Sequence, residues 1–257
     1  NTILYFNSQL YLIVNYIYCQ VKLYLYICII NLTTMKKLTF IFIPLFLLLT
    51  YSIIDLKPNF SVNYKIKGVD ISHWNEVSSW SKLKPNINFV IIKATQGSSY
   101  TDPKFNSYWE SSKKNNITRG AYHFFQPGIS AEKQFSNFKK NVKLSKGDLP
   151  PVLDVEDKLA DMDEVNKWLE LAEKHYGVRP IIYSDYLFFK VFMDGKVKDY
   201  KLWLHIDEKY NLQPSFNNHD CNMWQYSHKG KLPGIKGDVD LDYFLDNQST
   251  FKQMLIN

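Results

Sequence analysis

The stretch Pro150-Pro151-Val152-Leu153-Asp154-Val155-Glu156-Asp157 sets two carboxylates into an otherwise apolar, strand-like run. Side chains in a strand alternate faces, so Asp154 and Glu156 share one side while Leu153 and Val155 point to the other. An ionised carboxylate taken out of water without a partner is costly or shifts its pKa. Two of them on one face therefore need ion-pair partners, a metal or a catalytic task. Glycoside hydrolysis wants this arrangement most directly, with one carboxyl protonated to donate to the leaving oxygen and one ionised at the anomeric centre. The spacing alone leaves catalysis, a structural ion pair and a metal site open.

Working outward, the acid-bearing strand is the fourth in a series. Lys67 to Ser72 is the first, and the almost continuous apolar run Asn88 to Ala94 is the second, as in a parallel strand buried on both faces. Thr118 to Phe125 is the third. Later strands are expected at Pro180–Ser184, Leu202–His205, Cys221–Tyr226 and Val239–Leu241. Between them lie a short helical turn at Ser78–Leu83, a helix capped by Asp102 with Pro103 at its first position and running to about Asn116, and helices at Ser130–Val142 and Met162–Tyr176. This alternation predicts an α/β fold, a single irregular TIM-like (β/α) barrel. In such barrels the site lies at the C-terminal strand ends, where Asp70, Gln96, Tyr122, Asp154, Glu156, Tyr183, Trp224 and Asp240 all fall.

The 257 residues exceed one domain of about 200 residues, and the surplus is at the front. Residues 1–34 carry no turn chemistry and little charge, and are expected to be an over-extended upstream reading. Residues 35–56, with Met35-Lys36-Lys37 ahead of an apolar run, have the pattern of a signal peptide or membrane anchor. Residues 57–66 follow as a linker, and 67–257 as the domain. An exported protein, extracellular, periplasmic or anchored, is the expectation, with membrane contact only through the N-terminal segment. Cys19 and Cys28 lie in the front segment. Cys221 alone in the domain cannot form an internal disulfide and is expected to be an inert thiol in a buried strand. The formal charge is +6, of which residues 1–56 hold three Lys against one Asp, leaving +4 on residues 57–257. The basic residues are scattered, which argues against a nucleic-acid partner and suits an anionic surface such as a bacterial wall.

Seven blocks recur in order: Gly68-Val69-Asp70-Ile71-Ser72-His73-Trp74, Ile92-Lys93-Ala94-Thr95-Gln96-Gly97, Tyr100-Thr101-Asp102-Pro103, Arg119-Gly120-Ala121-Tyr122-His123-Phe124, Leu149 to Glu156, Trp224-Gln225-Tyr226-Ser227 and Val239-Asp240-Leu241. With them the chain resembles the glycoside hydrolase family 25 lysozymes, the Chalaropsis-type N-acetylmuramidases, from about Lys67 to the C-terminus. The resemblance implies a modified α/β barrel that cleaves the β-1,4 bond between N-acetylmuramic acid and N-acetylglucosamine in peptidoglycan glycan strands. It implies net retention and no metal; no other cofactor and a monomer are separately expected. Glu156 resembles the general acid and Asp154 the second carboxylate, with Asp70 and Asp240 as flanking acids. Tyr122, Tyr183 and Trp224 resemble walls of the saccharide groove, with Gln96, Gln225 and His123 as further substrate contacts.

Crowding by Asp154, Asp70 and Asp240 is expected to raise the pKa of Glu156. The chain departs from the family pattern at Gln96, where Glu is common, at Leu204-His205, where a small residue usually follows the Trp, and at Asp242, where Asn is usual. Gln96 removes one contributor to that raised pKa, so a shifted pH optimum is expected. Two other functions are set against hydrolysis: a metal-dependent polysaccharide deacetylase using Asp70, His73, His123 and Asp154, and a wall-binding module without catalysis.

Overall fold

The computed structural model describes residues 20–22, 64–207 and 221–257. The chain divides into two units, Asn1–Ser61 and Val62–Asn257, and the fold belongs to the second. The expected upstream extension and the signal or anchor segment fall outside the described residues, apart from a single helical turn at residues 20–22. No helix among the described residues is long and apolar enough to cross a membrane.

The strands are β1 (Ile66–Ile71), β2 (Glu76–Val77), β3 (Phe89–Gln96), β4 (Tyr100–Thr101), β5 (Thr118–Phe124), β6 (Val152–Asp154), β7 (Ile181–Asp185), β8 (Lys201–His205), β9 (Cys221–Gly230), β10 (Ile235–Lys236) and β11 (Val239–Phe244). The helices are α1 (Trp80–Leu83), α2 (Phe105–Lys114), α3 (Ala131–Asn141), α4 (Met162–Tyr176) and α5 (Gln248–Met254), with a helical turn Tyr186–Phe188 passing into a π-turn Phe189–Met193. Eight strands close into a barrel in the order β1-β11-β9-β8-β7-β6-β5-β3, with β3 returning to β1. β4 extends the sheet beside β3, and β2 and β10 form a separate ribbon.

The barrel expectation therefore stands, with one change. β11 runs antiparallel to both β1 and β9, while the other barrel pairings are parallel. A short alternating run such as Val239–Phe244 carries no signal of direction, so the reversal is a tertiary property. It changes how Asp240 reaches the site. Asp240 lies near the start of β11, directly opposite Asp70 near the end of β1.

Two apolar layers follow from the strand period of two. One set of residues points into the barrel and forms its plug, including Ile66, Phe89, Ile91, Val152, Ile181, Trp203, Met223 and Phe244. Gly68 belongs to this face, and a Cβ there would lie 2.1 Å from the Phe89 ring, so the missing side chain makes room for Phe89 to fill the axis. The alternate set, including Val69, Val90, Ile92, Ala121, Leu153 and Ile182, packs outward under the helices.

Helix α4 shows why the covering helices form where they do. Asp161 caps its start by accepting from Asp163 N, acids occupy its first turn, and Gly177 ends it in the left-handed region at φ 70°. Its Val165, Trp168, Leu169 and Ala172 share one face and are fully buried. Helix α2 departs from expectation. It begins at Phe105, with Lys104 as its N-cap, because the Asp102 carboxylate is taken up by His73 N and Nδ1 and by Lys104 N. Cys221 opens β9 half-buried, its Sγ directed at Met223 O, so it is more exposed than a core thiol.

Candidate active site

At the strand ends the inward face changes from apolar to polar, and the change encloses a cleft of about 350 Å³. One step of the period beyond the plug stand Asp70 on β1, Lys93 on β3, Tyr122 and Phe124 on β5, Asp154 on β6, Tyr183 on β7, His205 on β8, Gln225 on β9 and Asp240 on β11. Glu156, just past β6, and the exposed Trp74 and His228 complete the rim. A second opening, lined by Phe124, Glu156, Asp157, Lys158, Phe188 and Phe192, shares Phe124 and Glu156 with the first. The groove therefore continues past Glu156 on its far side.

Strand β6 ends at Asp154, one residue before the expected run, but its ladder carries on. Val155 N donates to Tyr183 O, and Ser184 Oγ donates to Val155 O. That anchoring sends Val155 outward into the core and leaves Asp154 and Glu156 facing the same cleft. Asp154 is buried at 6% exposure, whereas Glu156 is open to the groove. The two carboxyls act on each other, Glu156 raising the pKa of Asp154 and Asp154 lowering that of Glu156. Burial raises the pKa of both, and the Lys93 ammonium opposes that rise in both. For Glu156 burial is the leading cause, with Asp185 the larger acidic contributor and Asp240 a smaller one. Of the three acids expected to raise Glu156, Asp240 does so, Asp154 lowers it and Asp70 is not a principal contributor, while burial and an acid not foreseen, Asp185, raise it more.

A chain of bonds fixes the opposite wall. Tyr183 Oη donates to Gln225 Oε1 at 2.8 Å, and Gln225 Nε2 donates to Asp70 Oδ2 at 2.6 Å. Burial, then Asp240 and Asp242, hold Asp70 well above the ordinary carboxylate range, and Asp240 is raised to about 6 by its own burial. Asp242, one step deeper on the same face, is raised by burial and by Asp240. It accepts from Trp203 Nε1 at 2.9 Å through Oδ1, while Oδ2 is buried without a partner. Lys93 is the cation of this floor. Its Nζ donates to Gln96 Oε1 at 3.0 Å and lies 4.7 Å from the Phe124 ring centroid.

The structure brings Asp70, Tyr122, Asp154, Glu156, Tyr183, Gln225 and Asp240 together, and places three expected substrate contacts elsewhere. Trp224 faces outward because Gln225 faces inward; it is buried, donates to Ile206 O and packs against Tyr226 and Tyr243. His123 likewise points outward from β5, fully buried, between Thr95 Oγ1 and Gln134 Oε1 and stacked on Trp168. Its burial lowers its pKa to about 4, so it is a neutral core residue at physiological pH. Gln96 lies beyond a register shift between Lys93 and Thr95, outside the cleft lining, and reaches the site only through Lys93.

The same placements break up the metal-dependent deacetylase set. His73 is bound to Asp102 at 2.7 Å and His123 is enclosed in the core, so neither joins Asp70 and Asp154. Lys93, Trp74, Trp203, His205, His228 and Asp185 had been missed as site residues. Period two from Ile91 and Trp203 points directly to Lys93 and His205, whereas Trp74 and His228 carry no such signal.

The profile of the glycosyl hydrolases family 25 matches residues 69–235. The protein YegX of Escherichia coli (strain K12) is 37% identical over 193 residues, covering 71% of this chain and 70% of that protein. Lysozyme M1 of Streptomyces globisporus is 29% identical over 199 residues, covering 70% and 67%. Among solved structures, a family 25 glycosyl hydrolase from Bacillus anthracis superposes with a TM-score of 0.67 at 30% identity, over 74% of this chain and 93% of that one. With the barrel, the paired acids and these matches in hand, the chain belongs to glycosyl hydrolase family 25.

Proposed function

We propose that this glycoside hydrolase is a peptidoglycan-cleaving lysozyme, a 1,4-β-N-acetylmuramidase. The observation that carries the reading is the interacting carboxyl pair Asp154 and Glu156, both lining the cleft at the end of the barrel. Two interacting carboxyls lose their protons one after the other, so one is neutral while the other is charged, the division of labour that glycosidic cleavage needs. Glu156, open to the groove, protonates the glycosidic oxygen. Asp154, buried beside it, supplies the negative charge that the oxocarbenium-like transition state meets, directly or by orienting the substrate's acetamido group.

An inverting pair stands about 6.5–9.5 Å apart with the attacking water between. Asp154 and Glu156, two positions apart on one strand face, suit the closer spacing of a retaining pair, about 5–5.5 Å. Asp70 and Asp240 flank the pair, Tyr122 and Tyr183 form the wall, and the exposed Trp74 offers an apolar face to a sugar ring. The relative named Lysozyme M1 is consistent with this chemistry. Because the wall lies outside the cytoplasmic membrane, residues 35–56 are proposed to export or anchor the domain there, with no membrane role for the barrel itself.

The test is the full chain and its Glu156→Gln variant, incubated with peptidoglycan in EDTA, with soluble fragments and new reducing ends followed by mass spectrometry. Fragments ending in reducing N-acetylmuramic acid are expected, with a loss of about 10²–10⁴ in rate for the variant. Binding to the wall without cleavage by either protein would overturn the reading.

A further inference from the structure

We propose that His205, Asp207 and His228 bind a divalent transition-metal ion at the rim of the cleft, and that the bound ion inhibits hydrolysis. The three residues come from two neighbouring parallel strands. His205 ends β8 and Asp207 follows it, while His228 lies on β9 three residues beyond Gln225, the register partner of His205. One donor atom from each lies within 4.8 Å of the others. Two imidazoles and one carboxylate form a donor set suited to Zn²⁺ and its neighbours rather than to Mg²⁺ or Ca²⁺.

Two independent details point the same way. Donors bound at about 2.0–2.1 Å around a tetrahedral Zn²⁺ stand roughly 3.3 Å apart. His228 Nδ1 is already 3.3 Å from Asp207 Oδ2. That separation is long for a charge-assisted hydrogen bond, which closes to about 2.7–2.9 Å. The second detail is the orientation of His205. Its Nδ1 faces Asp185 Oδ2 at 3.5 Å, while its Nε2 is buried with no partner. A histidine with one nitrogen turned to a carboxylate and the other unsatisfied has the orientation of a metal ligand with an outer-shell partner within reach. Asp185 is itself fixed, because its Oδ1 caps the turn Tyr186–Phe188 by accepting from Leu187 N and Phe188 N.

The consequence for catalysis follows from position. His205 and His228 line the same cleft as Asp240 and Glu156. A dication held there narrows the saccharide path and ties up one side of the acid cluster. Metal binding stands independently of the muramidase reading; only the inhibition rests on it.

The experiment uses the full chain, stripped of metal and titrated with Zn²⁺ by calorimetry and with Co²⁺ by visible absorption, beside His228→Gln and Asp185→Asn. His228 is exposed, so its replacement leaves packing intact, and Asp185→Asn retains the Oδ1 cap. Expected are one Zn²⁺ per chain and tetrahedral Co²⁺ bands in the parent. Affinity should fall at least about tenfold in His228→Gln and about 10–100-fold in Asp185→Asn. Zn²⁺ should also slow release of reducing ends over the same concentration range in which it binds. Equal binding by parent and His228→Gln, or no binding below millimolar Zn²⁺, would overturn the site. Binding that leaves hydrolysis unchanged would overturn the inhibition. A parent that cleaves nothing in EDTA would count against the muramidase reading alone, with calorimetry still deciding the site.

Discussion

The two ends of the barrel treat buried charge in opposite ways. At the N-terminal end of β5, Arg119 Nε and Nη2 reach Asp148 at 2.9 and 3.3 Å, and Nη1 donates to Trp109 O. The guanidinium carbon lies 3.9 Å from the Trp109 ring centroid, and Asp148 also accepts from Ser145 N and Oγ. Nearly every donor and acceptor is satisfied. At the other end Asp70, Asp154, Asp240 and Glu156 line one cleft with Lys93 as its only lysine among the described residues, Asp242 lies one step deeper, and two carboxylate oxygens, Asp154 Oδ1 and Asp242 Oδ2, have no partner. The first arrangement holds a fold together. The second holds protons on acids at the expense of stability, which is what a site for proton transfer needs.

Removing one partner from the satisfied end should have the larger effect on stability. Arg119→Met leaves the Asp148 carboxylate buried and uncompensated, at a cost of about 3–5 kcal/mol. A melting temperature lower by roughly 10 °C is expected, with an unchanged pH profile of hydrolysis in the folded fraction. A melt within a degree of the parent would show that the pair contributes nothing net, and the contrast between the two ends would lose its basis.

Relieving the crowded end should act in the opposite direction. Asp242→Asn keeps the Oδ1 acceptor for Trp203 and removes a charge that also raises Asp70. A carboxyl whose pKa is raised by folding favours the folded state at low pH, and that advantage is lost as pH rises through the folded value. The variant should therefore match its parent near pH 4 and exceed it by about 1–3 kcal/mol at pH 8. Urea denaturation at both pH values decides it, since the opposing contribution of His123 cancels in the difference. A variant less stable at pH 8 would mean that the Asp242 charge is compensated after all.

The contrast also explains what the sequence disclosed. The apolar runs Asn88–Ala94 and Val152–Val155 made the barrel legible, because a buried strand needs that composition wherever it lies. Asp154, Glu156 and Asp70 stood out because acids at the ends of such runs are costly. Trp224 and His123 were misplaced by nearness in sequence to true site residues, Gln225 and Tyr122. Side-chain parity, counted from Met223 and Gly120, assigns both to the outer face. Gln96 was hidden by the register shift after Lys93, and the direction of β11 by a run too short to carry one.

The smallest effect expected, and the sharpest on mechanism, is that of Gln96→Glu. Gln96 touches the reaction only through Lys93, whose ammonium lowers the pKa of both Asp154 and Glu156. A glutamate in its place would pair with that ammonium and weaken its hold on the two acids. Their protons would then be retained to higher pH. Because Glu156 must be protonated to act, the alkaline limb of the kcat/KM profile should move upward by a fraction of a pH unit. The maximal rate should change by less than about tenfold, or 1.4 kcal/mol. A downward shift would mean that the new carboxylate acts on Lys93 in some way other than neutralising it. An unchanged limb would mean that the proton on Glu156 is governed by burial and by Asp185, with the lysine of the crowded end a spectator.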